Sequence, residues 1–521
     1  MRGVGLLMKQ NDHSGLQHQA LGCRWTVRGL IPFSSGLLLL CLLSGCINLG
    51  PDYSQPEAAV EPNWLDVENA LVTSQPPADP NWWKTAFQDP DLDQLVTTAL
   101  QQNLTLRSAG LRVLQSQQQL AIAIGNQYPQ QQQASGAASR QKENAATFNN
   151  YSLGFNASWE VDFWGRFRRQ VESASAELDA SVAGYDNVLV SLVSQVAQNY
   201  IFIRTFQERL QVAANNVQAQ EESLRITQAK SDAGQVSDLD VQQAESLVNN
   251  TKATMSSLEI SLQQLKNSLA ILLGKPPGDL IGLLDDPRQI PSVKTELALG
   301  MPQDLIRRRP DIRIAERQLA AQSAQIGFAV TELYPHFSIG GSIGTDAVNS
   351  GDLFDSDSET WSLFGLFEWD IFNYGRLKSN VRLQDARFQQ LLADYQNTVL
   401  GAQADVENAI VAYLKSHQQL QSYTLAAQAS QRAVKIAKAQ YENGLVDFNT
   451  VINTLIAQTQ QEDLLSTTRG DVAANLVQVY KTLGGGWQIR NNTDPVDLLP
   501  SGVKERMLER TKDWQGVLVL E

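Results

Sequence analysis

The chain has 521 residues, 43% of them hydrophobic and 18% charged, with a formal net charge of -14 at pH 7. That acidic balance argues against a nucleic-acid partner. The three cysteines, Cys23, Cys41 and Cys46, lie so far forward that no internal disulfide can form downstream, so stability must come from packing.

At the front, Arg24 and Arg28 precede the apolar run Leu37-Leu38-Leu39-Leu40-Cys41-Leu42-Leu43, which ends in Ser44-Gly45-Cys46. This is the order of a secretory signal peptide, read over residues 1–45. The stretch from Leu30 to Cys46 is interrupted by Pro32 and falls short of the ~20 residues of a spanning helix. Leu43-Ser44-Gly45-Cys46 resembles the bacterial lipobox, which implies a lipidated Cys46 as the mature N-terminus. Residues 46–90 read as an extended segment. No later segment approaches a transmembrane helix, so a bilayer crossing has to be made with strands.

The rest of the chain repeats itself. Trp159-Glu160 ahead of Gly165-Arg166 matches Trp369-Asp370 ahead of Gly375-Arg376, a shift of 375 − 165 = 210. Gly234 and Gly444, and Gly274 and Gly484, hold the same shift, while Tyr128-Pro129 and Tyr334-Pro335 are related by 334 − 128 = 206. Repeat 1 therefore covers 91–274 and repeat 2 covers 301–486, with a linker at 275–300 and a C-terminal tail at 487–521. Each repeat reads as a helix (about 91–126 and 302–332), a β-hairpin (about 130–163 and 336–372), a long helix (166–233 and 376–443) and a return helix.

The long helices carry a seven-residue period, Val182, Leu189, Val196, Ile203, Leu210, Val217 and Leu224, repeated as Leu392, Val399, Val406, Tyr413, Leu420, Ala427 and Val434. Such a stripe is a coiled-coil seam. In the hairpin, Tyr151, Leu153, Phe155, Ala157 and Trp159 alternate with Ser152, Gly154, Asn156, Ser158 and Glu160, as in a strand of an outer-membrane barrel. The polar stretches 140–150 and 345–360 are expected as hairpin loops. Four strands cannot close a barrel, because single-chain barrels start at about eight strands. Several chains must pool their strands.

This plan resembles the TolC-like outer-membrane factor family, in particular the lipoprotein branch of tripartite RND efflux systems. The residues that carry the resemblance are Asn81-Trp82-Trp83, Leu305 to Arg313 with Ala315-Glu316, Tyr334-Pro335, and Trp159-Glu160 through Gly165-Arg166, beside the lipobox. The resemblance implies a mainly α fold with a small β part: a homotrimer joining a twelve-stranded transmembrane β-barrel, four strands per chain, to a long coiled-coil helical barrel in the periplasm. It implies an outer-membrane exit channel for drugs or other small molecules, anchored in outer-membrane lipid, with a periplasmic adaptor protein and an inner-membrane RND transporter as partners. Export of proteins or metal ions through the same duct, or a structural envelope lipoprotein, are the competing readings.

No enzyme, cofactor or metal site is expected. Gly340-Gly341-Ser342-Ile343-Gly344 matches the nucleophile elbow in letters, but its serine falls on an alternating strand. Arg307, Arg308 and Arg309 read as a helix N-terminal turn fixed by Pro310 rather than an anion patch. The candidate gate lies at the periplasmic tip, where the helix-turn glycines Gly234 and Gly444 reverse the long helices. Relatives implied by the resemblance often carry aspartates just after the second turn. Here those positions fall at Thr450 and Asn453, leaving Asp238, Asp240 and Asp447 to form an acidic ring. The alternative is that these aspartates only cap helix N-termini.

Overall fold

The computed structural model describes residues 47–65, 72–73, 80–143, 146–278, 284–293 and 297–518, so the lipidation expected at Cys46 lies outside the described residues. The first half runs α1 (Trp82–Phe87), α2 (Pro90–Gln102), α3 (Leu104–Gly125), β1 (Gln131–Glu143), β2 (Ala146–Glu160), α4 (Arg166–Asp232) and α5 (Asp238–Leu272). The second runs α6 (Leu305–Arg308), α7 (Pro310–Thr331), β3 (His336–Ala347), β4 (Glu359–Glu368), α8 (Arg376–Glu442) and α9 (Phe448–Thr482), before a last short helix, α10 (Ser501–Arg510). The architecture is mainly helical with a small four-stranded sheet and a short parallel pairing of Val72–Thr73 with Leu297–Ala298, built from two tandem repeats.

The rods of the two halves are equal in length. α4 and α8 have 67 residues each, α5 and α9 have 35, and α3 and α7 have 22. At 1.5 Å per residue the long rods reach about 100 Å. The middle of the seven-residue seam is buried, with Leu189, Val196 and Ile203 in α4 and Val399, Val406 and Tyr413 in α8 all in the main core, while Val182, Leu210, Leu224, Leu392 and Leu420 are half-buried.

The helices ahead of the strands differ from expectation. Instead of one helix over 91–126 there are two, because Asn103 adopts an extended conformation and caps α3, accepting the Leu106 N–H at 2.8 Å. The Asn103 amide also donates to the Leu272 carbonyl at the end of α5, at 2.8 Å. The cap thereby stacks α5 and α3 end to end along α4. The stretch 302–332 breaks likewise at Arg309, since Pro310 lacks an N–H and drives the preceding residue out of helical space. Arg309 then grips Asp311, Asp405 and the carbonyls of Ala402 and Thr482. It is a structural clip.

The four strands form one antiparallel sheet in the order β1-β2-β3-β4. The strands run further than the sequence suggests, β1 to Glu143, β2 from Ala146, β3 to Ala347 and β4 from Glu359, so only the tips of the expected loops are loops. A backbone ladder needs no apolar side chain, and where both faces turn polar the alternation that marks a strand disappears.

The registers also expose a one-residue slip. Gln131 pairs with Ser158 and His336 with Glu368. Since 158 + 210 = 368, Gln131 is the counterpart of His336, a shift of 336 − 131 = 205 against 206 at the Tyr-Pro landmark. Repeat 1 thus holds one extra residue between Pro129 and β1. That residue is Gln130, whose side chain folds onto the strand end, accepting the Glu160 N–H at 2.8 Å and donating to the Glu160 carbonyl at 3.3 Å. Below the sheet the halves agree again: Trp159 donates to the Gln127 carbonyl and Trp369 to the Leu333 carbonyl.

The C-terminal tail is docked. Leu499, Met507 and Leu518 join the main core, and Gln117 of α3 donates to Asp494 at 2.8 Å. Deep in this joint lies Asp186 of α4, 0% exposed, paired with Arg490 (2.9 Å) from the tail and Arg313 (3.2 Å) from α7. Burial pushes the Asp186 carboxyl above its ordinary value, and Arg490 and Arg313 oppose that.

Candidate functional site

The end of the molecule far from the sheet is made by two matching helix reversals. Gly234 and Gly444 both take φ of +70°, a left-handed conformation that glycine adopts without a Cβ penalty. Beyond each, a backbone N–H reaches back five residues: Gln235 to the Lys230 carbonyl and Leu445 to the Gln440 carbonyl, both at 2.8 Å. These bonds satisfy carbonyls that a helix end leaves orphaned, the Schellman arrangement.

A small core of its own holds the two reversals side by side. Ala244 of α5 packs with Val434, Ala437 and Tyr441 of α8 and with Phe448, Val451, Ile452 and Leu455 of α9. Two lysines that sequence reasoning missed add to it. Lys230 donates to the Tyr441 carbonyl at 2.8 Å with its ammonium 4.3 Å from the Tyr441 ring centre, and Lys438 donates to the Ala219 carbonyl at 3.0 Å. Burial holds the Lys438 amine below its ordinary value, against the pull of Glu222 and Glu442. Neither lysine is repeated at a shift of 210, so the duplication gave no signal for them.

The acidic candidates divide by environment. Asp447 is the N-cap of α9, its carboxylate accepting the Thr450 N–H at 3.1 Å and the Thr450 hydroxyl at 2.9 Å. Asp238 and Asp240 occupy the first turn of α5, where the cap residue is Ser237, and neither carboxylate has a hydrogen-bond or ion-pair partner among the described residues. Asn453 is exposed one turn into α9, and Thr450 is engaged with its cap. The tip thus combines one carboxylate fixed as a cap with two others, Asp238 exposed and Asp240 half-buried, in the first turn of a helix, where a negative charge is favoured.

At the other end, Ser342 lies on β3 with its hydroxyl 2.7 Å from that of Ser362 on β4, a cross-strand hydroxyl pair. The elbow that its letters suggested is not built. The sheet turns Leu153, Phe155, Trp159, Ile339, Ile343, Trp361, Leu363 and Phe367 outward to solvent in the lone chain, an apolar face of the kind that bilayer contact demands.

A family model described as outer membrane efflux protein matches residues 95–275 and 301–485, one segment for each repeat. A nodulation protein T of Rhizobium leguminosarum bv. viciae is 31% identical over 445 residues, 85% of this chain and 90% of that protein. The cation efflux system protein CusC of Escherichia coli O157:H7 is 29% identical over 467 residues, 88% of this chain and 99% of that protein. Among solved structures, the outer-membrane channel OprN superposes with a TM-score of 0.80 at 31% identity, covering 85% of this chain and 100% of that one. With both repeats matched and the open sheet and paired rods in the same order, this chain belongs to the outer membrane efflux protein family.

Proposed function

We propose that the protein is the passive exit duct of a tripartite efflux pump, working as a homotrimer that carries drugs or other small molecules from a periplasmic adaptor and an inner-membrane RND transporter to the exterior. The observation that carries this reading is the sheet: four strands with an apolar face and two open edges, continuous with rods of about 100 Å. An open edge is prohibitive in lipid. Three such sheets make twelve strands, enough for a lumen, and the rods carry it through the periplasm. Purified protein in planar bilayers should give discrete conductance steps; an electrically silent trimer would favour the structural lipoprotein. Susceptibility of a deletion strain to dyes, antibiotics and metal ions separates the substrate classes.

Anchoring through Cys46 belongs to the same reading. Two or three acyl chains hold firmly at about 0.8 kcal/mol per buried methylene. Mass spectrometry of the mature protein should find an acylated Cys46 at its N-terminus, and an unmodified thiol there would exclude the anchor.

We put the gate at the tip, with Asp238 and Asp240 of α5 as the acidic ring and Asp447 capping α9 at the neighbouring reversal. Replacing Asp238 and Asp240 by asparagine should lower cation preference in bilayer recordings while trimers persist. The Asp447→Ala change should instead loosen α9 by about 1 kcal/mol, the worth of a cap. Unchanged ion selectivity in the double variant would make these residues helix-terminus ornaments and move the gate elsewhere.

A further inference from the structure

The two repeats are alike in sequence and unlike in exposure. Ser173 of α4 is 2% exposed and its counterpart Leu383 of α8 is 49% exposed. Val190 is 4% exposed against 54% for Leu400, and Ile201 0% against 42% for Val411. In each pair repeat 1 is covered within the chain, while repeat 2 presents an aliphatic side chain to solvent. The same asymmetry holds in the sheet, where β2 is paired on both sides and its counterpart β4 on one.

We infer that β4 of one protomer pairs antiparallel with β1 of the next copy in one defined register, obtained by carrying the β2–β3 pairing through the repeat. This rests on the trimer reading above. β2 maps onto β4 by adding 210, and β3 maps onto β1 by subtracting the 205 that the slip at Gln130 imposes. Trp159–Ile339 becomes Trp369–Ala134, Ala157–Gly341 becomes Phe367–Gly136, Phe155–Ile343 becomes Gly365–Ala138, and Leu153–Thr345 becomes Leu363–Arg140.

Face alternation checks the result independently. Tyr151, Leu153 and Phe155 of β2 pair with Ala138, Gly136 and Ala134 of β1, so the outward residues of β1 carry even numbers. Following the pairing through β3 to β4 makes the outward residues of β4 odd: Trp361, Leu363, Gly365 and Phe367. Every outward pair in the inferred register joins an odd β4 residue to an even β1 residue. A shift of 206 would set outward side chains against inward ones, which a sheet with one face in lipid does not tolerate. The extra residue Gln130 therefore sets the phase of the joint between copies. In the same register Lys142 falls opposite Trp361, within reach of a cation–π contact.

The test uses the inner face. Val161 donates to the Phe337 carbonyl, so odd β2 residues form the hydrogen-bonded pairs with β3 and even residues the closer, non-hydrogen-bonded ones. The counterpart of Asn156–Ser342 is Leu366–Ala137, where side chains approach to disulfide range. The full chain carrying Leu366→Cys and Ala137→Cys, oxidised in its membrane, should yield covalently linked dimers and trimers on denaturing gels, about ten-fold more than Leu366→Cys with Ser135→Cys or with Ser139→Cys. Equal or higher linkage by either shifted pair overturns the register. Native mass spectrometry of the reduced variants keeps the two ideas apart: a trimer that links in a shifted pair sinks the register alone, and a chain that stays monomeric sinks the trimer reading with it.

Discussion

Arginine at Leu153 or Phe155 is expected to abolish recovery of assembled protein from the membrane, while arginine at Ser152 or Asn156 leaves it close to wild type. The four positions lie within one stretch of five residues on β2 and sit on opposite faces. Leu153 and Phe155 share the outward side with Gly136 and Ala134 of β1 and with Thr345 and Ile343 of β3. A charge there meets hydrocarbon, at a cost of about 2 to 4 kcal/mol near the midplane, falling towards the interfaces. A trimer carries three copies, so about 6 to 12 kcal/mol is set against a fold of ordinary stability. Ser152 and Asn156 face the other side, where an arginine stays in water. Heat-stable trimer on gels is the readout, and equal damage on the two faces would refute the assignment.

The second large effect is expected at Asp186. Its carboxylate is fully buried between Arg490, itself 8% exposed, and Arg313, whose guanidinium also lies 4.9 Å from the Trp487 ring centre. The Asp186→Ala change leaves two guanidinium groups facing each other without an anion. Removing one partner of a buried pair costs about 3 to 5 kcal/mol, most of it the desolvation of the charge left behind. Because Arg490 belongs to the docked tail, release of the tail is the cheapest relief. Limited proteolysis within residues 491–518 should accelerate by about a hundred-fold or more, as 1.4 kcal/mol corresponds to a factor of ten. The exposed pair of Glu222 and Arg225 on the same helix is the control: Glu222→Gln should leave cleavage unchanged. A slow, wild-type cleavage rate in Asp186→Ala would mean that the apolar contacts of Leu499 and Met507 hold the tail without the ion cluster.

What the sequence made legible follows from periodicity. A duplication with one shift, a seam of fourteen positions and an alternating strand are long-range patterns, and each repeats its own evidence. The seam residues Val196 and Val406 are buried where the period places them. The features that escaped are local and lack a second copy. Gln130 sits in a run of glutamines, Gln130 to Gln133, which carries no face preference, so nothing in the letters marks the slip. The break at Asn103 interrupts no apolar period, and only its two hydrogen bonds reveal it. The lysines at the tip act on backbone carbonyls, which any sequence supplies. The aspartates were legible as residues near a turn, but letters alone do not divide Asp447, bound to Thr450, from Asp238 and Asp240, which have no hydrogen-bond partner among the described residues.

The equal length of α4 and α8 constrains how the chain can change. A residue inserted into one of them lowers its reversal by about 1.5 Å and rotates everything beyond by about 100°. The Lys230 contact with Tyr441 ties one reversal to the other, so the two would no longer meet at one level, and the seam beyond the insertion would face solvent. Growth or shortening of the rod is therefore viable only in matched steps on both long helices and both return helices, and in whole heptads, which move the tip by about 10 Å without turning it. The reach of the duct into the periplasm is quantised, and the spacing it must bridge sets which quantum survives.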